Sequence, residues 1–159
     1  MISLPTWVFV LVLLAVIMVL IGLWASAIAN RLNRLHIRTD SARIKLEVAL
    51  QARSAAIVAV DPKLNEMAAD VGRVPLRATD MGAHSDAENH LLAQLGPEVL
   101  QNPGFIQAAA RVDLAARFYN DAVADTREVR RRLAVRAFRL AGFAPLPEYY
   151  EAASYGHVG

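Results

Sequence analysis

The chain has no cysteine, so disulfides, thiolate metal sites and Cys-ligated clusters are excluded. Glycine and proline are scarce, eight and seven in 159 residues, and each breaker therefore reads as a boundary. The most telling absence is charge. Residues 1–29 hold no Asp, Glu, Lys or Arg, although the whole chain carries 17 Lys+Arg against 15 Asp+Glu, a net charge of +2. No stretch alternates with the period of a strand, and no internal repeat is present. Catalytic signatures are also missing. There is no G-x-S-x-G, P-loop or GxGxxG, and Ser41, Ser54, Ser85 and Ser154 sit in no nucleophile motif. His36, His84, His90 and His157 are scattered, without an HExxH or a second His four residues away. Asp86 and His90 alone are too few ligands for a metal. The expectations are no enzyme, no metal or cofactor, and no small-molecule substrate.

What is present starts with a long apolar run. Residues 6–29, TWVFVLVLLAVIMVLIGLWASAIA, exceed the roughly 20 apolar residues that a transmembrane helix needs. Trp7 and Trp24 lie near its ends, where amphipathic rings favour the interface, and Pro5 suits a helix start. A cleavable signal peptide is the competing reading, with ASA or AIA as the cleavage site. Against it, no basic residue precedes the run, and the run outlasts a signal core of about 7–15 residues. Arg31, Arg34, Arg38, Arg43 and Lys45 follow at once. The positive-inside rule then predicts an outside N-terminus and a cytoplasmic remainder.

Residues 31–60 contain no Gly or Pro and space Leu32, Leu35, Ala42, Leu46, Ala49, Ala56 and Val60 by threes, fours or their sum. This predicts a helix continuing the membrane span. Asp61-Pro62 is a cap followed by Pro at the first helical position, opening a short helix to about Val71. Residues 72–84, GRVPLRATDMGAH, read as a loop. Ser85 and Glu88 have the spacing of a capping box and predict a helix through Leu95, ended by Gly96-Pro97. Asn102-Pro103 opens the last helix, expected to about residue 140. Its seam is Phe105, Ala108, Val112, Ala115, Tyr119, Ala122, Thr126, Val129 and Leu133, rich in small residues that admit close helix approach. Gly142 stops it, and Pro145 and Pro147 make a tail that is non-helical at first and flexible at its end. The expected fold is all-α: one N-terminal transmembrane helix continuing into an elongated antiparallel helical bundle. The divisions are 1–5 extracytoplasmic, 6–29 transmembrane, 30–142 bundle and 143–159 Pro/Tyr tail.

Two stretches and the tail resemble a known family. NRLNRLHIRTDSARIKLEVALQARSAAI, residues 30–57, resembles the opening of the LemA family, with Asn30, Arg31, Leu32, Leu35, Asp40 and Ala42 matching N-R-L-x-x-L-R-x-x-x-D-x-A. ARFYNDAVADTREVRRR, residues 116–132, resembles its A-R-x-F-Y-N-D-A-V block through Ala116, Arg117, Phe118, Tyr119, Asn120, Asp121, Ala122 and Val123. AGFAPLPEYYEAA, residues 141–153, is similar to its F-G-F-x-P-x-P-Y-F tail. Residues 61–102 are shorter than that family's middle hairpin. The resemblance implies a bacterial, single-span helical protein without established enzymatic activity.

Folding the hairpin sets the expected contacts. At 1.5 Å per residue, helices over 31–60 and 104–138 are about 45 and 52 Å long. Arg130, Arg131, Arg136 and Arg139 would then return beside Arg31, Arg34 and Arg38 at the bilayer surface. There anionic headgroups attract each cation by roughly 1 kcal/mol. Nucleic acid is not expected, because these arginines alternate with Leu133, Val135 and Phe138 and lack a stacking platform. In FYND, Tyr119 is expected to pack with its hydroxyl hydrogen-bonded, and Asn120 and Asp121 to bond a nearby helix, Arg31 or Arg34 being candidates. Pro147, Tyr149 and Tyr150 are expected to dock on a partner or on the membrane-proximal end of the bundle. The expected role is a scaffold or accessory subunit of an inner-membrane assembly, with other membrane-protein subunits and anionic lipid as partners. Respiratory complexes are one host of this kind. A free-standing signalling or peptide-export protein is the alternative.

Overall fold

A computed structural model of the chain describes residues 5–131 and 145–151. Every regular element among them is helical. Helix α1, Thr6–Val60, is unbroken, and Pro5 starts it from an extended conformation with its carbonyl accepting from Val8 N at 2.9 Å. No breaker interrupts residues 30–60, so helical hydrogen bonding propagates from the apolar half into the charged half. The most apolar window of α1, 18 residues with mean hydropathy 3.1, is entirely unburied. This helix is long and apolar enough to cross a membrane.

Asp61 ends α1, its backbone turning to φ −123° while its N–H still donates to Ile57 O at 2.9 Å. Its side chain accepts from Lys63 N at 3.1 Å, and Pro62 has no N–H to satisfy. The chain restarts through a 3-10 turn, Pro62–Leu64, into α2, Asn65–Arg73. Helix α3 spans Gly82–Leu92, α4 is the single turn Pro97–Leu100, and α5 spans Pro103–Arg131. The Asn102 side chain caps α5, accepting from Gly104 N at 2.8 Å and Phe105 N at 3.3 Å.

Three expectations are corrected here. The loop of residues 72–84 shrinks, because α2 continues through Gly72 to Arg73 and α3 has already begun at Gly82. Ser85 and Glu88 are not a capping box but lie inside α3, both buried; Ser85 N donates to Met81 O at 3.1 Å, and the Glu88 carboxylate turns to Arg53 instead. The helix expected through Leu95 ends at Leu92, before Gly96-Pro97, and Pro97 starts a further helical turn.

Helices α1 and α5 form the spine. Leu32 packs on Val129, the Thr39 hydroxyl lies 3.0 Å from that of Thr126, and Arg38 pairs with Asp125 at 2.6 Å. Farther along, Leu46, Ala49 and Leu50 share a cluster with Val112, Ala116 and Tyr119, and Ile57 shares one with Phe105. Numbers rise on α1 as they fall on α5. Each fully buried Leu, Ile or Phe in these clusters contributes about 1.5–3 kcal/mol. On α5 the seam residues Phe105, Ala108, Val112, Tyr119, Ala122, Thr126 and Val129 are buried, joined by Ala116 and Val123. Ala115 is only partly buried, and Leu133 lies outside the described residues. Helices α2, α3 and α4 close the end away from the apolar half, packing Val71, Leu91, Leu92 and Val99 around Ile57.

Candidate functional site

The FYND stretch is where the tail is held. Tyr119 is fully buried on the seam of α5, and its hydroxyl donates to Glu148 O at 2.9 Å. Asn120, one residue on, points 100° round the helix and takes both backbone groups of Tyr150. Its Oδ1 accepts from Tyr150 N at 2.8 Å, and its Nδ2 donates to Tyr150 O at 2.9 Å. An extended segment has no backbone partners of its own, and an amide side chain supplies both a donor and an acceptor. The other edge of the tail is met by the 74–81 loop, where Glu148 N donates to Ala78 O at 2.7 Å and Met81 N to Glu148 Oε2 at 3.2 Å. Arg43 fixes that loop to α1 by donating to Leu76 O at 3.1 Å.

The tail expectation is corrected: residues 147–150 dock on the middle of the chain's own bundle, not on the end expected to be membrane-proximal. Pro147 and Tyr150 are buried, while Tyr149 is half exposed with the Arg127 guanidinium 5.2 Å from its ring centroid. The docking surface is the chain's own bundle at the level of Leu46 and Val112, well below the Leu32–Val129 end. Asn120 bonds the tail rather than Arg31 or Arg34. Arg130 donates to Pro145 O at 3.0 Å. Arg31, Arg34, Arg38 and Arg131 are described, with Arg31 one residue from the Leu32–Val129 contact, whereas Arg136 and Arg139 lie outside the described residues.

Beneath Tyr150 is a polar core that the periodicity did not reveal. Arg53 and Glu88, each 2% exposed, form an ion pair across α1 and α3. Arg53 Nε and Glu88 Oε1 have no hydrogen-bond partner among the described residues. His84 is buried beside them and donates through Nδ1 to Val74 O at 2.6 Å, leaving Nε2 unpartnered. Burial pushes the Tyr150 phenol up to about 12, reinforced by the Glu88 carboxylate and opposed by Arg53. Tyr119 is likewise raised to about 12, chiefly by burial, with Arg43 opposing and Glu148 adding to the rise. Both phenols stay protonated at neutral pH, so they act as hydrogen-bond donors and packing groups and not as bases. A cleft of about 170 Å³ reaches His84 and Glu88 between α1 and α2. Among the described residues no group of three or more His, Asp or Glu is placed to hold a metal ion.

A larger groove, about 580 Å³, runs along the outside of the α1–α5 pair. Ala42, Ala49 and Ala115 form its floor, and Leu114 and Phe118, 55% and 60% exposed, form one wall. Arg38, Lys45 and Arg111 line it, and no acidic residue does among those described.

Compared with protein-family models, curated proteins and solved structures, the chain finds no match in any of the three.

Proposed function

We propose that this chain is a non-catalytic, membrane-anchored helical scaffold, an accessory subunit of a bacterial inner-membrane protein complex. A respiratory complex or supercomplex is one host of the right kind. In this reading residues 6–29 cross the bilayer, the N-terminus lies outside, and residues 30–142 form an elongated antiparallel bundle in the cytoplasm. One observation carries it: α1 joins an apolar half, whose most hydrophobic window is entirely unburied, to the spine of a folded helical domain without a break. The polar groups of FYND support a structural role, since Tyr119 and Asn120 spend their hydrogen bonds on the chain's own tail. Basic residues follow the apolar half at 31–45 and residues 1–5 hold none, which supports the orientation.

Two measurements test the reading. A C-terminal reporter active only outside the cytoplasm should stay silent, and strong external activity overturns the orientation. Full-length chain purified in mild detergent should retain defined membrane-protein subunits in fixed ratio. If nothing co-purifies, the second reading takes over: a free-standing LemA-like protein with a signalling or peptide-export role. That reading is favoured by one contact, since two of the stretches that resemble the family, FYND and the Pro/Tyr tail, hold each other here.

A further inference from the structure

Among the described residues the α1–α5 groove is lined by these two helices alone. Its floor of Ala42, Ala49 and Ala115 lets another backbone come close, as small residues do at helix interfaces. Its apolar character continues outward on α1, where Ile37, Ile44 and Val48 are 48–59% exposed at helical spacing. From Arg38 to Ala49 the lining spans about 16 Å, three turns of a helix. The charge is one-sided. Arg38 is engaged by Asp125, but Lys45 and Arg111 have no ion pair among the described residues. A second copy on this face would set cations against the same cations.

We propose that this groove receives an amphipathic helix of a partner protein, its apolar face on Ala42, Ala115 and Phe118 and its Asp or Glu residues against Lys45 and Arg111. The mode is helix-in-groove, with anchors three, four and seven residues apart. A lipid surface is a poorer occupant, given the reading of residues 6–29 as the span. Because α1 is continuous, the groove begins nine residues beyond that span and runs away from it, from about 14 to 30 Å out. Headgroup attraction decays within a Debye length of about 8–10 Å.

The test uses the full chain in membranes of its host, with p-benzoylphenylalanine replacing Ser41, Leu114 or, as a control on an exposed face, Asn89. Illumination should give adducts from Ser41 and Leu114 but not from Asn89. The adduct peptide should be a partner segment with apolar residues at three- and four-residue spacing and acidic residues beside them. Lys45→Glu with Arg111→Glu, both at exposed positions, should cut the yield about tenfold, the equivalent of 1.4 kcal/mol, while leaving the thermal melt unchanged. Should that pair disturb folding, Lys45→Ala with Arg111→Ala gives the same reading through a smaller loss. Lipid adducts, adducts to a second copy, a partner segment without acidic residues, no adduct, or a yield indifferent to charge each overturn the proposal. Alkaline carbonate extraction of the same membranes separates the two questions. Release of the chain defeats the span alone, and the adduct pattern still judges the groove.

Discussion

Residues 6–29 and 30–60 belong to one helix, yet they handle apolar surface in opposite ways. The first half is apolar all round and buries none of its most hydrophobic window. The second half carries Arg, Lys, Asp and Glu, but buries a stripe of Leu32, Thr39, Leu46, Ala49, Leu50, Arg53 and Ile57. The second half is less hydrophobic and far better packed. Burial follows the presence of a facing helix, α5, and not the apolar content of the segment. The first half is hydrophobic all round, and by length and composition it is long and apolar enough to cross a membrane.

Paired substitutions should break this comparison most sharply. Val112 faces the second half and is fully buried, so Val112→Asp leaves a charge without a partner. The expected loss exceeds about 4 kcal/mol and abolishes the cooperative melt followed by circular dichroism. Val16→Asp introduces the same charge into the first half and should leave that melt untouched. Its effect appears as weaker membrane retention, about 2.5–3.5 kcal/mol at a helix centre. Equal melts for both variants would refute a tight α1–α5 seam.

The next largest effect concerns the buried ion pair. Glu88→Ala strands the Arg53 cation and should destabilise by about 3–5 kcal/mol in denaturant titration. Arg53→Met combined with Glu88→Leu should recover most of it, since apolar replacement of a buried pair is often neutral. If the double variant is no better than the single, the pair has a role beyond mutual neutralisation.

How much of this was legible in the residues follows the reach of the contacts. Asp61-Pro62 and Asn102-Pro103 act within two or three residues, and both caps form as the pattern predicts. The seam of α5 repeats by threes and fours, so Val112, Tyr119 and Val129 could be read directly. Arg53 and Glu88 could not, because charged residues belong outside unless a partner is known, and this partner is 35 residues away. Ser85 and Glu88 misled for the same reason: a short-range capping pattern lost to a long-range ion pair. Asn120 is a similar case, its partner being a backbone 30 residues on that carries no side-chain signal.

Alkali should sharpen the comparison within the folded half. Tyr119 and Tyr150 are raised from 10 to about 12, so between those values the folded chain holds protons that the unfolded chain releases. Stability is therefore full below pH 10 and falls as pH rises toward 12. Phenolate absorbance should show Tyr119 and Tyr150 titrating late, together with unfolding. Early titration of these two phenols would contradict their burial. The smallest effect expected is that of Asn120→Ala, which removes both hydrogen bonds to Tyr150 and should cost about 1–3 kcal/mol. Chymotrypsin should then cut at Tyr149 or Tyr150 sooner, with the melt of the spine only slightly lowered.

The unbroken run of α1 has a consequence for azimuth. With no hinge between residues 29 and 30, the compass bearing of the groove is locked to that of the apolar half of the helix. One extra residue at that junction turns everything beyond it by about 100°, aiming Lys45 and Ala49 away from their present bearing relative to the apolar half. Seven extra residues restore the bearing to within about 20° while lifting the bundle by about 10 Å. A partner gripping both halves would sense the single insertion as a wrong turn and the sevenfold one as a change of height. The helix thus serves as a keyed shaft, setting direction as well as distance.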